Sequence, residues 1–254
     1  MASPYRRQNL AADAASVPVL TDGDRYRQRG PGGHTSGVDP PLLAALDDET
    51  RRSLRDAAQR RHFRRGEVLF HAGDAANSMH LLVSGHVSVQ VTTRTGDTAI
   101  LTVLGPGASF GEMALLAEEA ERSATITALD PVETLVVGRS HFLRLRATHP
   151  AMDRFLVDLL AGYIRRQDAR LVEALYVPVE KRVLRRVLAM SRLYGDGAAG
   201  TVIPLTQDIL ASMAGTTRPT ANQVLRSAEQ EGLISMGRAQ VRIEDPRGLA
   251  KRAR

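Results

Sequence analysis

From Phe63 to about Val137 the chain alternates short apolar runs with glycine-centred turns, and this pattern restricts the fold more than any other feature. "EVLF", "MHLLVSG", "HVSVQVTT", "TAILTVL", "SATITAL" and "VETLVVG" read as strands, punctuated by Ala72-Gly73-Asp74, Thr95-Gly96-Asp97 and Gly105-Pro106-Gly107. Many short strands at this spacing predict a small antiparallel sandwich or jelly roll. One stretch breaks the pattern. "FGEMALLAEEAERSATITA", residues 110–128, opens with a glycine and an acid on a short helical turn and reaches Arg122-Ser123 ten residues after Glu112. An anion held between the turn and the arginine accounts for both features.

The segments on either side differ in kind. Residues 1 to about 38 contain "RYRQRGPGGHTSG" and no sustained periodicity, as expected of a disordered or loosely attached extension. "DPPLLAALDDETRRSLRDAAQRR", with prolines first, acids early and arginines late, predicts one or two short helices. After the strands, "MDRFLVDLLAGYIRRQDARLVEAL" predicts a helix of about six turns. Val157, Leu160, Ile164, Gln167, Leu171 and Ala174 follow the alternating spacing of a two-helix coiled-coil seam. Phe155, Leu156, Leu159 and Tyr163 form a second apolar face, expected to lie against the β domain. A helix apolar on two sides has two partners to cover, its own domain and a second copy of itself.

Pro178 marks the predicted boundary of a C-terminal domain. "VEKRVLRRVLAMSRLYG" is amphipathic, and "PLTQDILASMAGTTRPTANQVLRSAEQEGLI" holds two short helices around Gly215. Thr206 and Thr217 are suited to cap them, and Ile209, Met213, Val224 and Leu225 supply inward contacts. That is the pattern of a helix-turn-helix. "LISMGRAQVRI" adds a hairpin turning near Gly237, a wing. Residues 179–254 carry 13 Lys+Arg against 7 Asp+Glu, a net +6, while the first 178 residues carry 21 of each. All the net positive charge therefore lies in the last third, as expected of a domain that meets a polyanion.

The absence of cysteine excludes disulfides, thiolate nucleophiles and cysteine-held zinc or iron–sulfur clusters. The seven histidines (34, 62, 71, 80, 86, 141 and 149) show no dense metal-ligand spacing, so each is expected at the surface or at a cap; a haem ligand among them stays open. "MASPYRRQNL" lacks the apolar core of a signal peptide, and no apolar run approaches the ~18 residues of a membrane span. A cytoplasmic protein with no membrane partner and no metal is expected.

Taken together, "FGEMALLAEEAERSA", the long helix and "LTQDILASMAGTTRPTANQVL" resemble the cAMP receptor protein (CRP/FNR) family of bacterial transcription regulators over about residues 42 to 248. The first motif resembles that family's phosphate-binding cassette. Gly111 permits a close backbone turn, Glu112 and Met113 lie on the short helix whose N–H groups face the anion, Arg122 offers a planar fork to a phosphate, and Ser123 adds a hydroxyl. The resemblance implies that Glu112 accepts from the ribose 2′-OH; a Glu112–Arg122 ion pair in a site without ligand is the alternative. It also places Gln167 and Asp168 at the two long-helix positions that contact the base, one from each subunit, where relatives that bind cAMP carry small hydroxyl residues. Both residues accept a hydrogen bond from an adenine amino group and also suit a guanine edge.

The resemblance further implies base-reading positions at Arg218, Pro219 and Gln223, where relatives present arginine, glutamate and arginine. Arg218 suits a guanine and Gln223 an adenine. Pro219 reads nothing and disfavours helical geometry at Arg218, so the operator is expected to differ from the best-known one of the family. Thr217, Thr220, Arg226, Arg238 and Arg242 read as phosphate contacts.

The expected fold class is α+β. Its parts are an extension (1–38), a cyclic-nucleotide-binding β jelly roll (39–150), a dimerisation helix (151–177) and a winged helix-turn-helix (178–254). The expected function is a homodimeric transcription regulator, not an enzyme, that takes cAMP ahead of cGMP as allosteric ligand, binds palindromic double-stranded DNA and partners RNA polymerase. A regulator of this fold with another effector or none is one alternative; the regulatory module of a cyclic-nucleotide-controlled enzyme is another.

Overall fold

The computed structural model describes residues 47–93, 96, 98–115 and 120–254. The N-terminal extension predicted for residues 1–38 lies outside them, as do Thr95 and Asp97 of one predicted turn. Asp47 opens helix α1 (Asp48–Asp56) by accepting the Thr50 N–H at 2.8 Å, with Asp48 and Glu49 in the first turn and Arg55 in the last. The predicted helix ends there. Gln59–Arg61, which the charge pattern had placed in a helix, belong instead to strand β1 (Gln59–Phe63), four of whose five residues are exposed. Its partner strand supplies the order that its own sequence lacks.

Seven further strands follow: β2 (Val68–Phe70), β3 (Ser78–Ser84), β4 (Val87–Thr92), β5 (Thr98–Leu104), β6 (Ser109–Phe110), β7 (Thr125–Ala128) and β8 (Val132–Gly138). They form two antiparallel four-stranded sheets, in the orders β1-β8-β3-β6 and β2-β7-β4-β5. Leu82, Val87, Phe110, Ile126, Ala128 and Val132 fill the space between them, so the jelly roll expected from the alternation is the observed fold. A 3₁₀ turn, Glu112–Leu115, is the helical interruption between β6 and β7.

Two helices cover the outer face of the β3–β8 sheet, α2 (Arg139–Thr148) and the first half of α3 (Ala151–Tyr176). Phe142, Met152, Phe155, Leu156 and Leu159 pack with Leu54, Met79, Leu81 and Val137. Tyr163, expected on this covered face, is 44% exposed, because α3 has by then run past the sheet. The seam residues Val157, Ile164 and Leu171 are 63%, 59% and 59% exposed in the single chain, whereas Leu160 is partly buried against the sheet-facing cluster.

The C-terminal third consists of α4 (Val179–Tyr194), β9 (Val202–Ile203), α5 (Gln207–Met213), α6 (Arg218–Gln230), β10 (Ile234–Gly237), β11 (Gln240–Ile243) and α7 (Pro246–Arg252). Thr206 and Thr217 cap α5 and α6 as the sequence implied, and Gly215 turns between them with φ +61°. Helix α6 begins at Arg218 despite the following proline, which occupies its first turn where no N–H is missed. Strands β10 and β11 form the wing, with β9 on the outer side of β11. This domain does not close its core alone. Val103 of β5 is buried in it beside Val183, Leu184 and Leu210, and the Ile100 N–H donates to Ser212 Oγ at 2.6 Å. The His86 ring stacks on Tyr194 with centroids 4.0 Å apart, while its Nδ1 meets Asp130 Oδ2 at 2.7 Å.

Candidate functional site

The interruption after β6 is shaped by one close approach. Gly111 has φ +77°, and a Cβ placed there would stand 2.6 Å from Arg122 Nη1, so only glycine allows the guanidinium to enter. Arg122 is 7% exposed. Its Nη1 donates to the Ser78 carbonyl at 2.6 Å and the Gly111 carbonyl at 3.3 Å, and its Nη2 donates to Ser78 Oγ at 3.0 Å. The guanidinium also lies over the Phe70 ring, 4.1 Å from the centroid. Its Nε–H is buried without an acceptor. Burial lowers the pKa of Arg122 from its ordinary value, opposed by the negative charges of Asp74 and Glu112.

Glu112 stands on the first turn of the 3₁₀ segment. Burial pushes its carboxyl above the usual value, while its own backbone N–H and the charges of Arg166 and Arg122 pull it down. Among the described residues no ion pair joins Glu112 to Arg122, although each charge bears on the other. Met113 is 43% exposed and Ser123 is exposed beside the buried Arg122. Gln167 is half-buried and Asp168 exposed on α3. The charge of Arg166, their neighbour on α3, is one of those that pull the Glu112 carboxyl down.

Several residues of this site escaped the sequence reading. Phe70 and Ser78 hold Arg122 from two other strands. His80, expected at the surface or at a cap, is instead 5% exposed, stacks on Phe110 with centroids 5.1 Å apart, and meets Thr134 Oγ1 at 3.3 Å. Burial, followed by the charges of Arg122 and Arg61, lowers its pKa from 6.5 to about 3. His86, also expected at the surface, is partly buried against Tyr194. Among the described residues there is no group of three or more His, Cys, Asp and Glu arranged to hold a metal, and no helix is long and apolar enough to cross a membrane.

On the C-terminal domain, Arg218, Gln223, Arg226, Arg238 and Arg242 are all exposed. Arg218 Nη1 stands 3.5 Å from Asp208 Oδ2, both groups being well solvated. The Thr217 and Thr220 hydroxyls face each other at 3.0 Å, and Thr217 Oγ1 also accepts the Thr220 N–H at 3.5 Å. Arg238 lies at the tip of the wing beside Ala239, whose φ is +56°, and Arg242 projects from β11.

A family profile described as "Cyclic nucleotide-binding domain" matches residues 60–149, and one described as "Crp-like helix-turn-helix domain" matches residues 181–252. The cyclic AMP receptor protein of Thermus thermophilus is 33% identical over 205 residues, covering 81% of this chain and 93% of that protein. The CRP-like cAMP-activated global transcriptional regulator of Mycobacterium tuberculosis is 28% identical over 221 residues, covering 86% and 95%. Among solved structures, the c-di-GMP responsive global regulator of Xanthomonas campestris has a TM-score of 0.66 at 22% identity, covering 78% of this chain and 99% of that one, and shares the fold. The two matched regions define a DNA-binding transcription regulator that carries a cyclic-nucleotide-binding domain. The chain belongs to the CRP/FNR family, and its relatives named here are transcription regulators rather than enzymes.

Proposed function

We propose that two copies of this chain pair through α3 and bind palindromic DNA in response to a cyclic nucleotide, cAMP ahead of cGMP. The observation that carries this reading is Arg122: a buried cation whose Nε–H is unanswered, admitted by a glycine that leaves no room for a side chain. A cyclic phosphate answers that donor, Ser123 adds a hydroxyl, Met113 and the turn at Gly111 line the approach, and Glu112 takes the ribose hydroxyl. Gln167 and Asp168 meet the base from α3, a reading that the charge of Arg166 on Glu112 supports. Arg218 and Gln223 read bases, while Thr217, Thr220, Arg226, Arg238 and Arg242 hold phosphates. The protein acts in the cytoplasm on promoter DNA, with RNA polymerase as its partner.

A second reading, the same regulator with a different effector, draws on Gln167 and Asp168, since both also suit a guanine edge. The Xanthomonas regulator of this fold responds to c-di-GMP. Calorimetry with cAMP, cGMP and c-di-GMP, followed by DNA binding with each, decides between them. Tight binding of cAMP that sharpens DNA affinity supports the first reading; a response to c-di-GMP alone supports the second. Failure of all three to bind overturns the ligand assignment.

A further inference from the structure

Helices α3 and α4 meet at Val177–Pro178, where the backbone ladder is broken. Pro178 has no N–H to give the Ala174 carbonyl, and Arg182 supplies the missing donor from Nη1 at 3.1 Å. The same guanidinium donates to the Val177 carbonyl at 3.2 Å and, from Nε and Nη2, to the Ala214 and Gly215 carbonyls at 3.0 and 3.3 Å. One side chain of α4 thus ties the end of α3 to the turn between α5 and α6. A second contact, one turn back on α3, adds charge to this tie. Glu173 Oε2 accepts from Arg186 Nη2, and Glu173 Oε1 stands 3.6 Å from Arg185 Nη1. The Glu173 and Arg186 side chains are only 12% and 15% exposed. Arg185 is held in turn by the Ala253 carbonyl at 2.9 Å, which draws in the end of α7.

We infer that Glu173 is a positioning residue: by holding Arg185 and Arg186 across the Pro178 break, it makes α3 and the helix-turn-helix a single lever. Movement of α3 then reaches α5 and α6 without being absorbed at the proline. The cluster has more cations than acids, since the positive charge of Arg170 also bears on Arg186. Removing the Glu173 carboxylate therefore leaves the buried Arg186 cation without its partner and under the charge of Arg170, and the joint opens rather than merely loosening. This inference rests on the proposed function for the meaning of the movement, but not for the existence of the brace.

The test compares wild-type protein with Glu173→Gln, which keeps the shape and removes the charge. Hydrogen exchange of the amides from Leu175 to Arg182 is expected to quicken by about tenfold or more, with neither nucleotide nor DNA present. Affinity for the cyclic nucleotide should stay within about twofold, because Glu173 lies outside the pocket. The factor by which nucleotide tightens DNA binding should fall at least about fivefold. If Glu173→Gln fails to fold, Arg186→Gln breaks the same buried pair from the other side and is expected to show the same two changes in smaller measure, since Glu173 still faces Arg185. Unchanged exchange at the joint overturns the brace, and quickened exchange with undiminished enhancement overturns the lever. Wild-type DNA binding that ignores every cyclic nucleotide would sink the functional reading instead, and the exchange comparison still decides the brace.

Discussion

The Arg122 guanidinium lies over the ring of Phe70, 4.1 Å from its centroid, and is held in plane by the Ser78 and Gly111 carbonyls. An aromatic face and two neutral carbonyls hold a cation without cancelling its charge. The site therefore keeps its attraction for an anion, which a direct carboxylate partner would have spent.

Arg122→Leu is expected to weaken cyclic-nucleotide binding by about 2–5 kcal/mol, the usual loss when one member of a buried charge pair is removed. It should also lower stability, because the Ser78 hydroxyl and the two carbonyls lose their donor. Gly111→Ala should weaken binding without removing any charge, since its Cβ would meet Nη1 at 2.6 Å and the residue would be held at φ +77°. Calorimetry with cAMP and thermal unfolding check both. Wild-type affinity in the two variants would reject the cassette.

His80 makes stability depend on pH. Its folded pKa of about 3 lies below the ordinary 6.5, so between these values the unfolded chain takes up a proton that the folded one refuses. The contribution is fully present above pH 6.5 and is lost as pH falls toward 3, with a slope of up to ~1.4 kcal/mol per pH unit. Urea denaturation of wild type and His80→Phe from pH 4 to 7 should show a shallower slope in the variant. Equal slopes would mean that His80 is not held neutral.

The exposed seam on α3 sets a test of pairing. Ile164→Lys with Leu171→Lys should yield a monomer by sedimentation with an unchanged circular dichroism spectrum, because neither side chain is covered within one chain. Leu160 is a poorer target, since it packs against the cluster under β3 and β8. A double variant that stays dimeric places the interface elsewhere.

DNA contacts separate by kind. Arg218→Ala should cost about 1–3 kcal/mol on the preferred palindrome and relax selectivity at one base pair per half-site. Arg238→Ala should weaken all sequences alike and lower the salt slope by about one unit, as a lost phosphate contact does. Titrations against single-base variants over a range of salt distinguish them. Uniform loss in Arg218→Ala would show that it faces the backbone and leave Gln223 as the reader.

How much of this was legible beforehand varies with the range of the forces involved. Strands β3, β4, β5, β7 and β8 carry their own apolar alternation, and Thr206 and Thr217 announce α5 and α6 by local capping, so short-range chemistry exposes them. Strand β1, "QRRHF", carries almost no apolar signal and exists because β8 pairs with it from Val132 to Val136. Strand β6 is two residues long and owes its form to His80 and Leu81. Gly111, Glu112 and Arg122 could be read because they share one short segment. Ser78 is 44 residues from Arg122, and His80 looks like any other histidine until the sheets close around it.

Val103, given by β5 to the core of the C-terminal domain, has a further consequence. The DNA-binding half is not a portable module. Residues 178–254 on their own would present to water the surface that Val103 fills, and a DNA-binding half grafted from a relative would have to match Val103, His86 and Ile100 of the β domain at once. The two halves are therefore expected to melt as one cooperative unit, and to drift together in sequence rather than be exchanged.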